Sequence, residues 1–228
     1  MSFLPVSALI PTLNAAASLP ATLGALRGAV GEIIIADGGS SDATRDIAQA
    51  SGAQVISAPR GRGPQLRAAA DVATQPWLLA IHADTRPGPG WQEAVAGFIG
   101  KPEAANKAAH FRFALDHAAP EARRLEAMVT WRCRWLGLPY GDQGLLIARD
   151  FYRTLGGYEP VPLMEDVALI RRIGRKRLVA LPPAFITSAE KWQRDGWYAR
   201  SVRNLFCLSL WFLGVAPERI ARLYARRR

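Results

Sequence analysis

Two carboxylates close apolar runs in this chain, and two more stand side by side. Glu32-Ile33-Ile34-Ile35-Ala36-Asp37 ends in Asp37, Trp77-Leu78-Leu79-Ala80-Ile81 turns polar at His82-Ala83-Asp84-Thr85, and Met164-Glu165-Asp166-Val167 sets Glu165 against Asp166. An aspartate beside a tight turn at the mouth of a sheet is suited to be a hard oxygen ligand for a divalent cation carrying a phosphorylated substrate. The plainer reading of Asp84 is a cap on that turn or on the helix after it. Glu165 and Asp166 fall in the first turn of a helix with Val167, Ile170 and Ile173 on one face, where the helix dipole favours carboxylates on structural grounds alone. In Gly38-Gly39-Ser40-Ser41-Asp42-Ala43-Thr44 the glycines permit a tight backbone, Ser41 or Asp42 can cap the next helix, and the helix N-terminus could face an anion.

The elements that position these groups follow from periodicity. Val6 to Ile10 reads as a first strand, ending in Pro11-Thr12-Leu13-Asn14, and Ser18 opens a helix with Leu19, Leu23, Leu26 and Val30 at helical spacing. Glu32 to Asp37 is a second strand, almost continuously apolar, as expected where helices cover both faces of a sheet. A helix carrying Ile47 and Ala48 follows, then a third strand, Gln54 to Ser57, the turn Pro59-Arg60-Gly61-Arg62-Gly63-Pro64, a helix from Gln65 to Thr74 and the strand beginning at Trp77. This β-α-β-α-β-α-β rhythm predicts an α/β fold with a mostly parallel, doubly wound sheet flanked by helices. Ala108 to Leu115 reads as a further strand.

With 228 residues, half of them hydrophobic, the chain is long enough for a substantial core. Lysine and arginine exceed the acids by 29 to 19, a formal charge of +10, which favours polyanionic partners: nucleic acid, an anionic membrane or a phosphorylated substrate. No helix-turn-helix signature, zinc spacing or RNA-binding aromatic motif is present, so no nucleic-acid partner is expected. Cys133 and Cys207 lie far apart in apolar helical patterns and read as core residues in a reducing compartment, without a disulfide or zinc site. Met1-Ser2-Phe3-Leu4-Pro5 has no basic region and no long apolar run, so the expected location is cytoplasmic.

Several segments then converge. Pro-Thr-Leu-Asn follows strand one, Ala-Asp-Gly-Gly-Ser-Ser-Asp-Ala-Thr strand two, Arg-Gly-Arg-Gly strand three and His-Ala-Asp-Thr strand four; Tyr140-Gly141-Asp142-Gln143-Gly144 and Met164-Glu165-Asp166-Val167 come later. In this order they resemble the family 2 glycosyltransferases of the GT-A fold over nearly the whole chain. Thr187-Ser188-Ala189-Glu190-Lys191-Trp192 with Gly196-Trp197 is similar to a small bacterial subgroup known only as "transferase 2".

The resemblance implies roles. Asp37 matches an acid that contacts the nucleotide base or ribose, and Pro11 and Thr12 match the backbone of the base pocket. Asp42 matches the second acid of that segment but reads better as a helix cap. Arg60 and Arg62 match a loop near the donor where guanidinium groups pair with the diphosphate; the alternative is a solvated basic turn. Asp84 matches the last acid of the Asp-x-Asp metal motif, so Mg²⁺ or Mn²⁺ is the implied cofactor. The first acid is replaced by His82, either an imidazole ligand better suited to Mn²⁺ or a hydrogen-bonding strand residue. No histidine follows residue 117, so no C-terminal histidine is present to serve as a ligand. Asp166 matches the general base of an inverting transfer, Glu165 a residue orienting or contacting acceptor, Asp142 a residue lining the acceptor or donor-sugar side, and Gln143 the acceptor side.

Beyond the motifs, Glu121 to Leu138 is apolar around much of its circumference, reading as a core helix first and an acceptor wall second. Leu205 to Val215 is too short to span a bilayer, which needs about 20 apolar residues, but its aromatic, arginine-rich setting suits an interfacial helix on anionic lipid. The final Arg219, Arg222, Arg226, Arg227 and Arg228 add charge to that surface; a homodimer interface is the competing reading. The expected organisation is a GT-A domain over residues 1–190, with a nucleotide-sugar half over 1–100 and an acceptor half over 101–190, and an amphipathic helical extension over 191–228. The expected activity is inverting transfer of a sugar from a UDP- or GDP-linked donor to an acceptor hydroxyl, with a lipid acceptor suggested by the C-terminus and peripheral placement on the inner face of the membrane. Two rivals stand beside it. A sugar-phosphate nucleotidyltransferase should carry a glycine-rich loop directly after strand one, where Pro11-Thr12-Leu13-Asn14 stands instead. A basic membrane- or polyanion-binding module on a decayed scaffold would bind polyanions salt-dependently without nucleotide affinity.

Overall fold

A computed structural model describes residues 3–225. In chain order the elements are β1 (Leu4–Thr12), α1 (Leu19–Leu26), β2 (Val30–Asp37), α2 (Thr44–Ala50), β3 (Gln54–Ser57), α3 (Arg62–Val72), β4 (Trp77–Ala80), β5 (Thr85–Pro87), α4 (Trp91–Ile99), β6 (Ala108–Leu115), α5 (Pro120–Leu136), β7 (Leu145–Ala148), α6 (Arg149–Thr154), α7 (Glu165–Ile173), β8 (Leu178–Thr187), α8 (Glu190–Asp195), α9 (Trp197–Phe212) and α10 (Pro217–Ala225). The strands form one sheet in the order β3-β2-β1-β4-β7-β6-β8-β5.

The half β3-β2-β1-β4 is parallel, as the alternating rhythm predicts. Its apolar runs alternate between two cores with the period of two that a pleated strand imposes. Leu9, Ile34, Leu78 and Ala80 face one side, where α3, α6, α7, α9 and α10 contribute Leu66, Phe151, Leu169, Cys207 and Ile220. Ile10, Ile35, Leu79 and Ile81 face the other, against Leu23 of α1 and Trp91, Val95 and Phe98 of α4. Each fully buried large aliphatic side chain here contributes about 1.5–3 kcal/mol relative to exposure, so the strands that carry the site rest on the best-covered part of the molecule.

The other half changes direction. β7 runs antiparallel to β4, β6 antiparallel to β7, β8 parallel to β6, and β5 antiparallel to β8 at the edge. β8 escapes a sequence reading because it contains Pro182-Pro183, which cannot donate to a ladder. The register between β6 and β8 slips there, Phe111 pairing with Leu181 and Arg112 with Ala184. The β5–β8 pairing sets Thr85 opposite Thr187, their hydroxyls 2.8 Å apart, and the Ser188 N–H donates to the Asp84 carbonyl at 3.0 Å. Residues 187–191 are thereby delivered to Asp84, more than a hundred positions away in sequence.

Three expectations are corrected. α5 is not a core helix: only Ala122, Glu126 and Val129 are buried, while Met128, Trp131, Trp135 and Leu136 are each more than half exposed. Its apolar residues encircle the helix because part of that surface is left uncovered. Cys207 is a core residue as expected, but Cys133 is half-buried and directs its thiol at the Gln143 side-chain oxygen, 3.1 Å away. α3 begins at Arg62, three residues before the expected Gln65, since Pro64 is tolerated in a first helical turn where its missing N–H has no partner to lose. In the C-terminal segment Asp195 pairs with Arg194, Arg200 and Arg203, which hold its carboxyl well below the usual range against the opposing effect of burial. Arg226, Arg227 and Arg228 lie outside the described residues, as do Met1 and Ser2.

Candidate active site

The C-terminal ends of β1, β2 and β4 open onto two neighbouring structures, a polar turn cluster and a cleft. In the turn cluster Asp37 is completely buried. Its carboxylate accepts from Thr12 Oγ1 (3.0 Å), Ser40 Oγ (2.5 Å) and the backbone N–H groups of Gly39 (3.1 Å) and Ser40 (2.9 Å), with Arg45 3.5 Å away. Burial raises its pKa, but these hydrogen bonds outweigh burial and leave it below the usual value. Asp42 accepts from Thr44 N–H (3.0 Å) and from Ala16 N–H (3.1 Å), which makes it a cap and a tie between two loops. Gln65, which the sequence did not mark, is buried and donates to the carbonyls of Thr12 (2.6 Å) and Ala36 (2.7 Å), fixing α3 to the ends of β1 and β2. Pro11 sits in β1 opposite Ala36.

The cleft gathers Arg62, His82, Asp84, Tyr140, Asp142, Asp166 and Lys191 from α3, the turn after β4, the turn before β7, α7 and α8. Arg200 and Asn204 of α9 and Tyr224 of α10 complete its wall. Met164, in the left-handed region at φ 69°, turns the chain into α7 so that Glu165 points inward and Asp166 stands at the cleft. Glu165 is 1 % exposed, and its Oε1 lies 2.9 Å from Arg62 Nε. Burial pushes the Glu165 carboxyl up to about 7 against the opposing pull of Arg62. Asp166 is half-buried, accepting from Gly141 N–H (2.9 Å) and Val167 N–H (2.8 Å). Gly141 comes close to the imidazole: a Cβ there would stand 2.7 Å from His82 Nε2 and force that ring to shift.

Asp142 lines the same cleft. Its Oδ1 is buried without a hydrogen-bond partner, and burial raises its carboxyl to about 6. His82 Nε2 lies 3.4 Å from Arg62 Nη1; burial and then the Arg62 charge lower its pKa to about 4, so the imidazole is neutral at pH 7. Asp84 Oδ2 is 2.5 Å from Lys191 Nζ. Burial raises the Asp84 pKa, while Lys191 and His82 lower it to a net value below the ordinary one.

Of the residues singled out by sequence, Arg62, His82, Asp84, Asp142 and Asp166 meet at the cleft, with Glu165 directly behind. Arg60 is exposed, and neither it nor Pro11, Thr12 or Asp37 lines the cleft. Gln143 faces the interior: its Nε2 donates to the Phe111 carbonyl (3.0 Å), and its Oε1 accepts from Tyr140 N–H (3.2 Å) and Arg132 (3.3 Å). Lys191 was missed because the strand that delivers it is hidden by its prolines. Among the described residues, no three His, Cys, Asp or Glu side chains are grouped to hold a metal ion.

A parallel half-sheet continued by a mixed half, with acidic turns at its open edge, defines a GT-A-like fold. The sequence profile of "Glycosyl transferase family 2" matches residues 7–149, more than half the chain, and the protein belongs to that family. Solved structures with the same fold include glucosyl-3-phosphoglycerate synthase from Mycobacterium tuberculosis in complex with Mn²⁺, uridine diphosphate and glucosyl-3-phosphoglycerate. That match has a TM-score of 0.54 and 19 % identity, covering 78 % of this chain and 70 % of that one. The same enzyme with Mn²⁺, UDP-glucose and phosphoglyceric acid matches at TM-score 0.55 and 21 % identity, over 78 % and 69 % of the two chains. A further mycobacterial protein matches at TM-score 0.54 and 18 % identity, over 79 % and 65 %. A search of curated proteins found no match.

Proposed function

We propose that the protein is an inverting glycosyltransferase that moves a sugar from a UDP- or GDP-linked donor to an acceptor hydroxyl. The observation that carries this reading is a half-buried carboxylate, Asp166, facing a cleft whose other walls present Arg62 and Lys191. Asp166 takes the acceptor proton as the hydroxyl oxygen attacks the anomeric carbon and the bond to the diphosphate breaks. Arg62 meets charge on the departing diphosphate, and Glu165, paired with it, fixes its direction. Asp142, which lines the cleft, accepts a hydrogen bond from a hydroxyl of acceptor or sugar. Asp37 and Gln65 hold the turn at Thr12 in shape for the nucleoside. The UDP in the similar structures supports a nucleotide-sugar donor.

The Mn²⁺ in those structures speaks for a divalent cation, and Mg²⁺ or Mn²⁺ at Asp84 with His82 is what the motif implies. The donor set as it stands does not fit one: Lys191 is on the carboxylate and Arg62 is beside the imidazole.

Incubation with UDP- and GDP-sugars and measurement of released nucleoside diphosphate tests the function. Release from one donor class, with an inverted product, is expected. Absence of both release and nucleotide binding would refute the reading in favour of a non-catalytic basic module.

A lipid acceptor at an anionic membrane is the finer part of the proposal. α9 walls the cleft with Arg200 and Asn204 and exposes Val202, Leu205, Phe206 and Phe212 on its outer face, while α5 exposes Trp131 and Trp135; Arg124 joins the two helices through Tyr198 Oη at 3.0 Å. No helix among the described residues is long and apolar enough to cross a membrane, so attachment would be interfacial. In flotation assays, vesicles with about 30 % anionic lipid should carry the protein, and Trp131→Ser with Phe206→Ser should release most of it. Equal recovery of the double variant, or flotation on neutral vesicles alone, would count against this part.

A further inference from the structure

We propose that Lys191 supplies, as a built-in ammonium beside Asp84, the positive charge that a divalent cation would otherwise bring to the donor diphosphate, so that nucleotide binding does not depend on added metal. This rests on the nucleotide-sugar reading and deepens it. The contact is built by the fold. The β5–β8 pairing places Ser188 N–H on the Asp84 carbonyl, and Lys191 follows in the first turn of α8, its Nζ 2.5 Å from Asp84 Oδ2. The Asp84 side chain is only 12 % exposed and that of Lys191 44 %, so the carboxylate anchors an ammonium that still opens to the cleft. An ammonium has three N–H donors and Asp84 engages one side of it, leaving capacity for phosphate oxygens.

The neighbouring position is also closed to a metal by charge. A dication between Asp84 and His82 would sit next to both the Lys191 ammonium and the Arg62 guanidinium, which lies 3.4 Å from His82 Nε2. Like charges a few ångströms apart repel strongly in a half-buried site. Asp84, the carboxylate such an ion would use, is already engaged by Lys191, whereas Arg62 and Lys191 together can straddle a diphosphate with charge-assisted hydrogen bonds.

The test is calorimetric titration of UDP and GDP into the full chain, in EDTA and in Mn²⁺, for wild type, Lys191→Met and Lys191→Arg, with thermal melting to confirm that each variant is folded. Wild type should bind the preferred nucleotide with affinities within about threefold in the two buffers, and Lys191→Met should bind about 30-fold more weakly in EDTA, the loss expected for a charge-assisted contact. Mn²⁺ should restore part of that loss, because Asp84 is then free to take it, and Lys191→Arg should stay within about tenfold of wild type. Wild-type binding that requires Mn²⁺, or Lys191→Met binding as tightly as wild type in EDTA, overturns this inference and leaves the glycosyltransferase reading standing. Failure of both nucleotides to bind in either buffer overturns both.

Discussion

Asp166→Asn should lower sugar transfer about 1,000-fold while leaving nucleotide affinity within a few-fold of wild type, the loss typical of removing a general base. The side chain's hydrogen bonds go to backbone amides and not to Arg62 or Lys191. Its oxygens accept from Gly141 N–H and Val167 N–H, and its outer edge is open to the cleft. An asparagine keeps one carbonyl oxygen for one of those donors and sets an NH₂ against the other, so a modest loss of stability is expected beside the loss of rate. Asp142 is the rival carboxylate, lining the same cleft with an oxygen that has no partner and a pKa raised to about 6 by burial. Asp142→Asn should cost only about tenfold, since it orients a hydroxyl without receiving its proton. Single-turnover measurements on both variants, with melting curves alongside, separate them. If Asp142→Asn shows the larger loss, or Asp166→Asn keeps a tenth or more of the wild-type rate, the proton goes elsewhere.

The parts of the fold that showed in the sequence are those where burial is two-sided. β1, β2 and β4 carry largely apolar runs because both faces meet helices, and β3 and β6 match their sequence limits residue for residue. β8 did not show, because Pro182-Pro183 marks a turn everywhere except opposite a register slip. α5 was misplaced because periodicity reports where apolar side chains are and says nothing about what covers them. The same division holds at the site. Arg62, His82, Asp84 and Asp166 follow directly on strands or open helices, so reading the elements also placed these residues at one edge. Asp37 and Gln143 stood out by type and position, yet their polar atoms are taken up inside the protein, which only the partners in space reveal. Lys191 stands in the sequence only as one residue of the Thr187–Trp192 segment, with no role of its own, and its pairing with Asp84 exists only through β8.

Gly63→Ala should be the most disruptive small substitution in the chain, lowering stability by about 3 kcal/mol, the upper end for overpacking, and the melting temperature by about 10 °C. Gly63 lies in the first turn of α3, and a Cβ there would run into the carbonyl oxygens of Glu159 and Val161 and the Val161 amide. These are backbone atoms, which cannot rotate away as a side chain would. The loop they belong to is itself pinned, by Tyr158 N–H on Tyr152 Oη (2.9 Å), by Arg172 on the carbonyls of Leu155 (2.5 Å) and Gly157 (2.7 Å), and by Arg67 on the Tyr158 carbonyl (3.2 Å). α3 is held on its other side by Gln65. Relief must therefore come from tilting the first turn of α3, and that turn carries Arg62, whose guanidinium is 2.9 Å from Glu165. Loss of stability and loss of nucleotide affinity, the latter about tenfold, should appear together. Gly24→Ala is the control: Gly24 sits in α1 with open space where the Cβ would go, so it should gain about 0.5–1 kcal/mol from helix propensity. Should Gly63→Ala melt with wild type, α3 does not dock on residues 159–161 as described, and the placement of Arg62 against Glu165 falls with it.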